Sequence, residues 1–422
     1  MLSAFGKTGF KPVLQHWYDC RSRGRSDNLR TNTIMKTTLS RLFTEFFKSE
    51  QVSGIILILC TVISIIIANS YFGKNYSDFW QNKIGFELGG IALKYSVEHW
   101  INDGLMAIFF LLIGLEIERE FYIGELSDLK TATLPVFAAV GGMALPAVLH
   151  FLFNRETETQ GGIGIPMATD IAFALGILAL LGNRVPTGLK VFLTALAIID
   201  DLGAIVIIAL FYSSDISFVY LILSFGIFGG LLISNHFGIR HLLFYLIPGA
   251  VMWYFMLKSG IHATLSGVLL ACAVPFGTGD DESPSYRLQQ FLHKPVAFLI
   301  MPLFALANTD IVLSENWVQG LFTSNSLGIF AGLFLGKPLG IVLFSFLAIR
   351  AGLSQLPENV SWKHVIGMGF LGGIGFTMSI FITLLAFGQT EMIQSSKIAI
   401  LLSSFSAGIT GLLILKRQSA DI

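Results

Sequence analysis

Asp200 and Asp201 stand side by side inside an otherwise apolar run, VFLTALAIIDDLGAIVIIALF at 191–211. An ionised carboxylate at a bilayer centre costs about 2.5 to 3.5 kcal/mol on insertion scales, so acids placed there mark ion or proton routes. Two in succession make a cation the natural third party. Consecutive helical side chains point about 100° apart, so one aspartate can ligate while the other pairs elsewhere. Only one Lys or Arg lies deep in an apolar run, Lys337 in GKPLG at 336–340, and it is the natural partner. Burial and a like-charged neighbour favour the protonated carboxyl, whereas a lysine or a bound cation favours the ionised one. Protons and cations therefore compete for the pair. An ion pair that merely pins two helices needs one acid and one base, and leaves the second aspartate unexplained.

Asp170 follows Thr169 directly after a Gly/Pro-rich stretch, GGIGIPMA at 161–168, and a second interrupted stretch, GMGFLGGIG at 367–375, carries Gly372, Gly373 and Gly375. If both unwind within a membrane, four half-helix ends meet there, each carrying about half a unit of partial charge. Asp170 can offset the N-terminal ends and Lys337 the C-terminal ends, and the Thr169 hydroxyl can ligate a hard cation. The same two residues also fit a plain helix N-cap. GLEIERE at 114–120 clusters Glu116, Glu118, Arg119 and Glu120, which either draws cations to a mouth or forms a solvated helix end. Asp103, His262 and His293 stand at the ends of apolar runs, where interfacial roles are ordinary. GTGD at 277–280 matches an intramembrane aspartyl protease signature but falls in a polar loop beside Asp281 and Glu282. The lysine at 337 lacks the upstream glycine and following Ser/Thr of a phosphate loop, so nothing indicates nucleotide binding.

The elements that must position these residues are apolar spans. Of 422 residues 54% are hydrophobic and 13% charged, and the mean hydropathy is +0.71, which describes an all-α polytopic membrane protein. The 27 basic residues balance 27 acidic ones, which gives no basic excess for nucleic acid. Cys20, Cys60 and Cys272 are too scattered for a disulfide framework or a zinc site. A span needs about 20 apolar residues. Twelve fit, at 53–70, 99–117, 133–153, 162–181, 191–211, 217–234, 241–257, 262–276, 291–307, 327–349, 365–387 and 398–415. Twenty Lys and Arg then fall in the segments on the side of the N-terminus and six on the other, so both termini are expected in the cytoplasm. Residues 1–42 read as a polar cytoplasmic tail without a signal-peptide core, with Met35 a second candidate start, and 43–422 as the transmembrane domain. In this topology spans 3–5 and 10–12 run in opposite senses, and the middle member of each, the fourth or the eleventh, is the interrupted one. Matching interruptions in inverted repeats point to a transporter's binding site. IGFELGGIALK at 84–94 alternates about Gly89 and Gly90 and predicts a small extracellular β-hairpin.

Four stretches together, ALAIIDDLGAI at 195–205, ATDIAFALG at 168–176, GKPLGI at 336–341 and GGIGFTMSIF at 372–381, resemble the NhaA-type bacterial sodium/proton antiporters, with the likeness running from about Phe43 to the C-terminus. The resemblance implies a twelve-helix fold with crossed, discontinuous fourth and eleventh helices in the bacterial inner membrane. It implies export of one Na⁺ or Li⁺ for two H⁺, with no cofactor. By that pattern Asp201 is the principal cation ligand with Thr169 nearby, Asp200 pairs with Lys337 in the cation-free state, and Asp170 sits at the helix crossing. Glu116, Arg119 and Glu120 would line a cytoplasmic funnel, and the 84–94 hairpin would join a homodimer. One departure stands out. Gln289 and Gln290 occupy the stretch before the ninth span where family members often carry acidic and histidine residues for pH sensing, which leaves the pH dependence open. Three rival readings remain. A related-fold symporter of organic anions would need a larger polar cavity, a cation channel usually places acids in rings from several subunits, and a protease would depend on Asp280.

Overall fold

The computed structural model describes residues 52–88, 91–182, 185–212, 216–277, 279, 282–313 and 317–418. The expected tail at 1–42, the Gly89-Gly90 turn and Asp280 lie outside them. Helix α1 (Val52–Ala68) turns through 113° into α2 (Gly73–Gln81). Strand β1 (Lys83–Leu88) then pairs antiparallel with β2 (Ile91–Ser96), with Ile84 opposite Tyr95. The chain continues through α3 (Val97–Tyr122) and α4 (Leu129–Asn154) to a broken pair, α5 (Glu158–Met167) and α6 (Ile171–Leu180), bent by 43°. Next come α7 (Thr187–Phe211), α8 (Phe218–His236), α9 (Leu243–Lys258), α10 (Leu265–Ala273), α11 (Pro284–Asn308) and α12 (Ser324–Arg350). A second broken pair, α13 (Trp362–Gly372) and α14 (Phe376–Ala386), bends by 44° and leads into α15 (Thr390–Gln418).

Among the described residues seven helices are long and apolar enough to cross a membrane, or up to ten if each bent pair counts as one span. The expectation of twelve also requires α9 with 16 residues and α10 with nine. Apolar side chains point outward as well as inward: Phe218, Ile222, Leu210 and Phe405 are all more than half exposed. A helix that is hydrophobic all round suits lipid, where every backbone polar group has to be satisfied within the helix itself.

The contact that matters most for the centre is the crossing of α4 and α12. Gly141 and Gly340 meet there so closely that a Cβ on either would collide with the other's carbonyl. Small residues are what allow helix backbones to approach this far. One residue on, a Cβ at Gly142 would lie 3.7 Å from the Lys337 side chain, so this crossing lays Lys337 along α4. Helix α7 packs on the same helix through Gly203, which leaves room for the Met143 thioether. Just before Lys337, α12 widens into a π-helical turn over Gly332–Gly336, a distortion that often re-aims a functional side chain.

Candidate functional site

Thr169 and Asp170 occupy the gap between α5 and α6, and Gly373, Ile374 and Gly375 the gap between α13 and α14. The two gaps touch, because the Asp170 N–H donates to the Ile374 carbonyl at 2.7 Å. One Asp170 carboxylate oxygen caps α6 by accepting the Phe173 N–H at 3.0 Å. The other accepts the Thr377 N–H at 3.1 Å and the Thr377 hydroxyl, both from the first turn of α14. A single carboxylate thus satisfies donors at two helix N-termini whose partial positive charges converge. The N-cap reading and the charge-offset reading describe one arrangement, seen from α6 and from the crossing.

The C-terminal end of α5 is met by Lys337, which has no exposed surface. Its Nζ donates to the carbonyl of Met167, the last residue of α5, and pairs with Asp200 Oδ2 at 2.7 Å. The Thr169 Oγ1 lies 2.7 Å from that same Asp200 oxygen and 2.8 Å from the Gly372 carbonyl, which ends α13. Having one hydrogen, the hydroxyl donates to only one of these acceptors at a time.

Asp201, one residue along α7, is 1% exposed, and neither of its carboxylate oxygens has a hydrogen-bond partner among the described residues. Asp200 Oδ1 is likewise unpartnered. The charged groups near enough to act on Asp201 are Asp200, Asp170, Glu116 and Lys337. A buried carboxylate without donors is expensive, and a proton or a dehydrated cation relieves that cost. The oxygens gathered here, from two carboxylates and a hydroxyl, are hard donors of the kind that alkali and alkaline-earth cations take.

Glu116, Arg119 and Glu120 lie in the last turns of α3. The Arg119 guanidinium sits 6.0 Å from the centre of the Tyr286 ring, on α11. Gln289, also on α11 and 7% exposed, hydrogen-bonds Glu116, so the position that departs from the family pattern packs directly against the acidic cluster. Farther along α3, Asp103 pairs with His99 at 3.3 Å, and His262 meets the Tyr212 carbonyl at 2.8 Å. Sequence reasoning missed Thr377 and the contact made by Gln289. A signal for Thr377 was present, since it is a polar residue opening an apolar half-helix just past Gly375, much as Asp170 follows the first break.

Apolar helices closing on buried, ion-bearing side chains at two helix breaks define a membrane ion carrier, and the chain is a multi-pass membrane protein. The chain belongs to the Na⁺/H⁺ antiporter 1 family, whose model matches residues 44–415. It is 58% identical over 378 residues to the Na⁺/H⁺ antiporter NhaA of Flavobacterium psychrophilum, covering 90% of this chain and 96% of that one. The Na⁺/H⁺ antiporter NhaA of Dechloromonas aromatica is 56% identical over 382 residues with the same coverage. The Na⁺/H⁺ antiporter NhaA 2 of Clostridium beijerinckii is 46% identical over 386 residues, again with 90% and 96% covered.

Proposed function

We infer that the chain exports Na⁺, or Li⁺, in exchange for protons across the bacterial inner membrane, at two H⁺ per cation. The observation that carries the site assignment is Asp201, whose two buried oxygens have no hydrogen-bond partner among the described residues, beside the paired Asp200 and Lys337. Asp201 is the principal ligand for the cation. Asp200 trades Lys337 for a share in the ion, Thr169 supplies a third oxygen, and Asp170 keeps the crossing closed. Glu116, Arg119 and Glu120 form the cytoplasmic funnel that leads to them. The fold is a twelve-span bundle with both termini in the cytoplasm, α9 and α10 serving as the seventh and eighth spans. Spans 3–5 (α4 to α7) and 10–12 (α12 to α15) are inverted repeats that move together against the rest. A homodimer forms through the 84–94 hairpin, whose Ile84 and Phe86 are 60% and 56% exposed.

The test is ²²Na⁺ uptake into proteoliposomes under an imposed pH gradient. We expect saturable uptake that collapses when the gradient is dissipated and is lost in Asp201→Asn. Uptake unaffected by the proton gradient would support the sodium-coupled symporter, and an unsaturable open-pore current the channel.

A further inference from the structure

His364 lies in the first turn of α13, just past its N-cap Ser361, and is 5% exposed. Its Nδ1 accepts the Ser361 N–H at 3.1 Å and lies 2.9 Å from the Ser361 hydroxyl. This is the return arm of a capping box, in which a Glu or Gln oxygen ordinarily takes the place of the imidazole nitrogen. An N–H donates only to a lone pair, so Nδ1 is unprotonated and the neutral ring carries its hydrogen on Nε2. Nε2 is buried without a hydrogen-bond partner among the described residues, so the ring is held through Nδ1. Helix α13 runs from this cap to the exchange site. A Cβ at Gly369 would lie 3.1 Å from Pro338, the residue after Lys337. Gly372, about 12 Å along the helix axis from His364, ends α13, and its carbonyl lies 2.8 Å from the Thr169 hydroxyl. How α13 begins therefore bears on both Lys337 and Thr169.

We propose that His364 is a positioning residue for the exchange site, a neutral imidazole that closes the start of α13 and releases it when the cytoplasm acidifies. The proposal rests on the exchange function and the cytoplasmic side assigned above. A proton on Nδ1 turns the acceptor into a second donor, so the Ser361 N–H loses its partner. The imidazolium also adds positive charge to a helix N-terminus that already carries some. Histidine ordinarily titrates near pH 6.5, within reach of an acidified cytoplasm. The helices packed on α13 are α6, α7, α12 and α15. Helix α6 has no charged residue, and the ends of the other three nearest the cap carry Lys190, Arg350, and Lys416 with Arg417. Lys363 is on α13 itself, and Glu358 precedes the cap. Glu358 is the one acid among them, and it makes no ion pair with the ring within 4.0 Å among the described residues. The imidazolium thus gains no counter-ion in place of the lost hydrogen bond.

Hydrogen exchange, read by mass spectrometry on the purified full-length chain, follows the peptide at 358–368 at about pH 5.5 and about pH 8, with rates corrected for the intrinsic effect of pH. In the parent the corrected exchange should be about fivefold faster at the acid pH, the scale of a lost helix cap. His364→Gln, whose amide oxygen rebuilds the box without titrating, should stay protected at both, and His364→Leu should be unprotected at both. Exchange of ²²Na⁺ in proteoliposomes should rank the same way. His364→Gln should match the parent at the alkaline pH and exceed it about fivefold at the acid one, with His364→Leu below both at the alkaline pH. Parallel pH profiles for the parent and His364→Gln in either measurement would overturn the proposal. If His364→Leu fails to fold, as judged by thermal melting, His364→Gln compared with the parent decides alone. A parent whose protection follows pH as described yet fails to exchange Na⁺ for H⁺ would sink the proposed function and leave the cap standing.

Discussion

Asp170 and Asp201 are both buried carboxylates within a few helical turns of each other, yet the first accepts three protein donors and the second none among the described residues. Donors that saturate a carboxylate leave it little capacity for cargo, which is why the proposed mechanism gives the exchangeable proton to Asp201 and its neighbour Asp200. Purified protein should release protons when Na⁺ is added, and Asp201→Asn should abolish the release. Ligands must be deprotonated to bind, so the Na⁺ concentration at half-release should rise as pH falls, by about tenfold per unit for each proton displaced. A half-release point indifferent to pH would remove competition from the mechanism. Asp200, Asp201 and Lys337 are legible in the sequence because a charge in an apolar run has no cheap alternative explanation. Thr377 and Gln289 are not, because an uncharged polar residue gains meaning only from its partner, here Asp170 or Glu116.

Both helix breaks are readable from glycine and proline density, whereas other departures from a regular helix are silent in the sequence. The π-helical turns at Trp100–Leu105, Val296–Ile300 and Gly332–Gly336 insert a residue without changing the apolar character of the run. Hydropathy likewise reads 262–276 as one span, although only Leu265–Ala273 is helical there, because an apolar segment looks the same whether coiled or extended. The α4–α12 crossing offers a direct test of what positions the lysine. Gly340→Val drives a branched side chain into the Gly141 backbone. Such overpacking costs about 1 to 3 kcal/mol, so the variant should melt at lower temperature and, with Lys337 displaced, release fewer protons on Na⁺ addition. A variant with parental melting and parental proton release would show that the close approach is dispensable.

For the molecule as a whole, the number of charges moved per cycle decides what energy drives it. If Lys337 keeps its proton while both aspartates exchange theirs for one Na⁺, each turnover carries net charge, and a membrane potential contributes about 2.3 kcal/mol per charge per 100 mV. A potassium diffusion potential imposed on vesicles should therefore change the exchange rate, and a rate insensitive to its sign would indicate one-for-one exchange. The distribution of Lys and Arg gives the bundle an expected sidedness, but nothing comparable in the sequence marks which helices move as a unit. The hydrogen bonds of Asp170 bear on that question in another way. The same side chain grips the first turns of α6 and α14, and its backbone N–H holds Ile374. Tension entering through α15 thus reaches α6 through one residue, so the two broken helices share mechanical load and cannot be drawn out of the bundle one at a time.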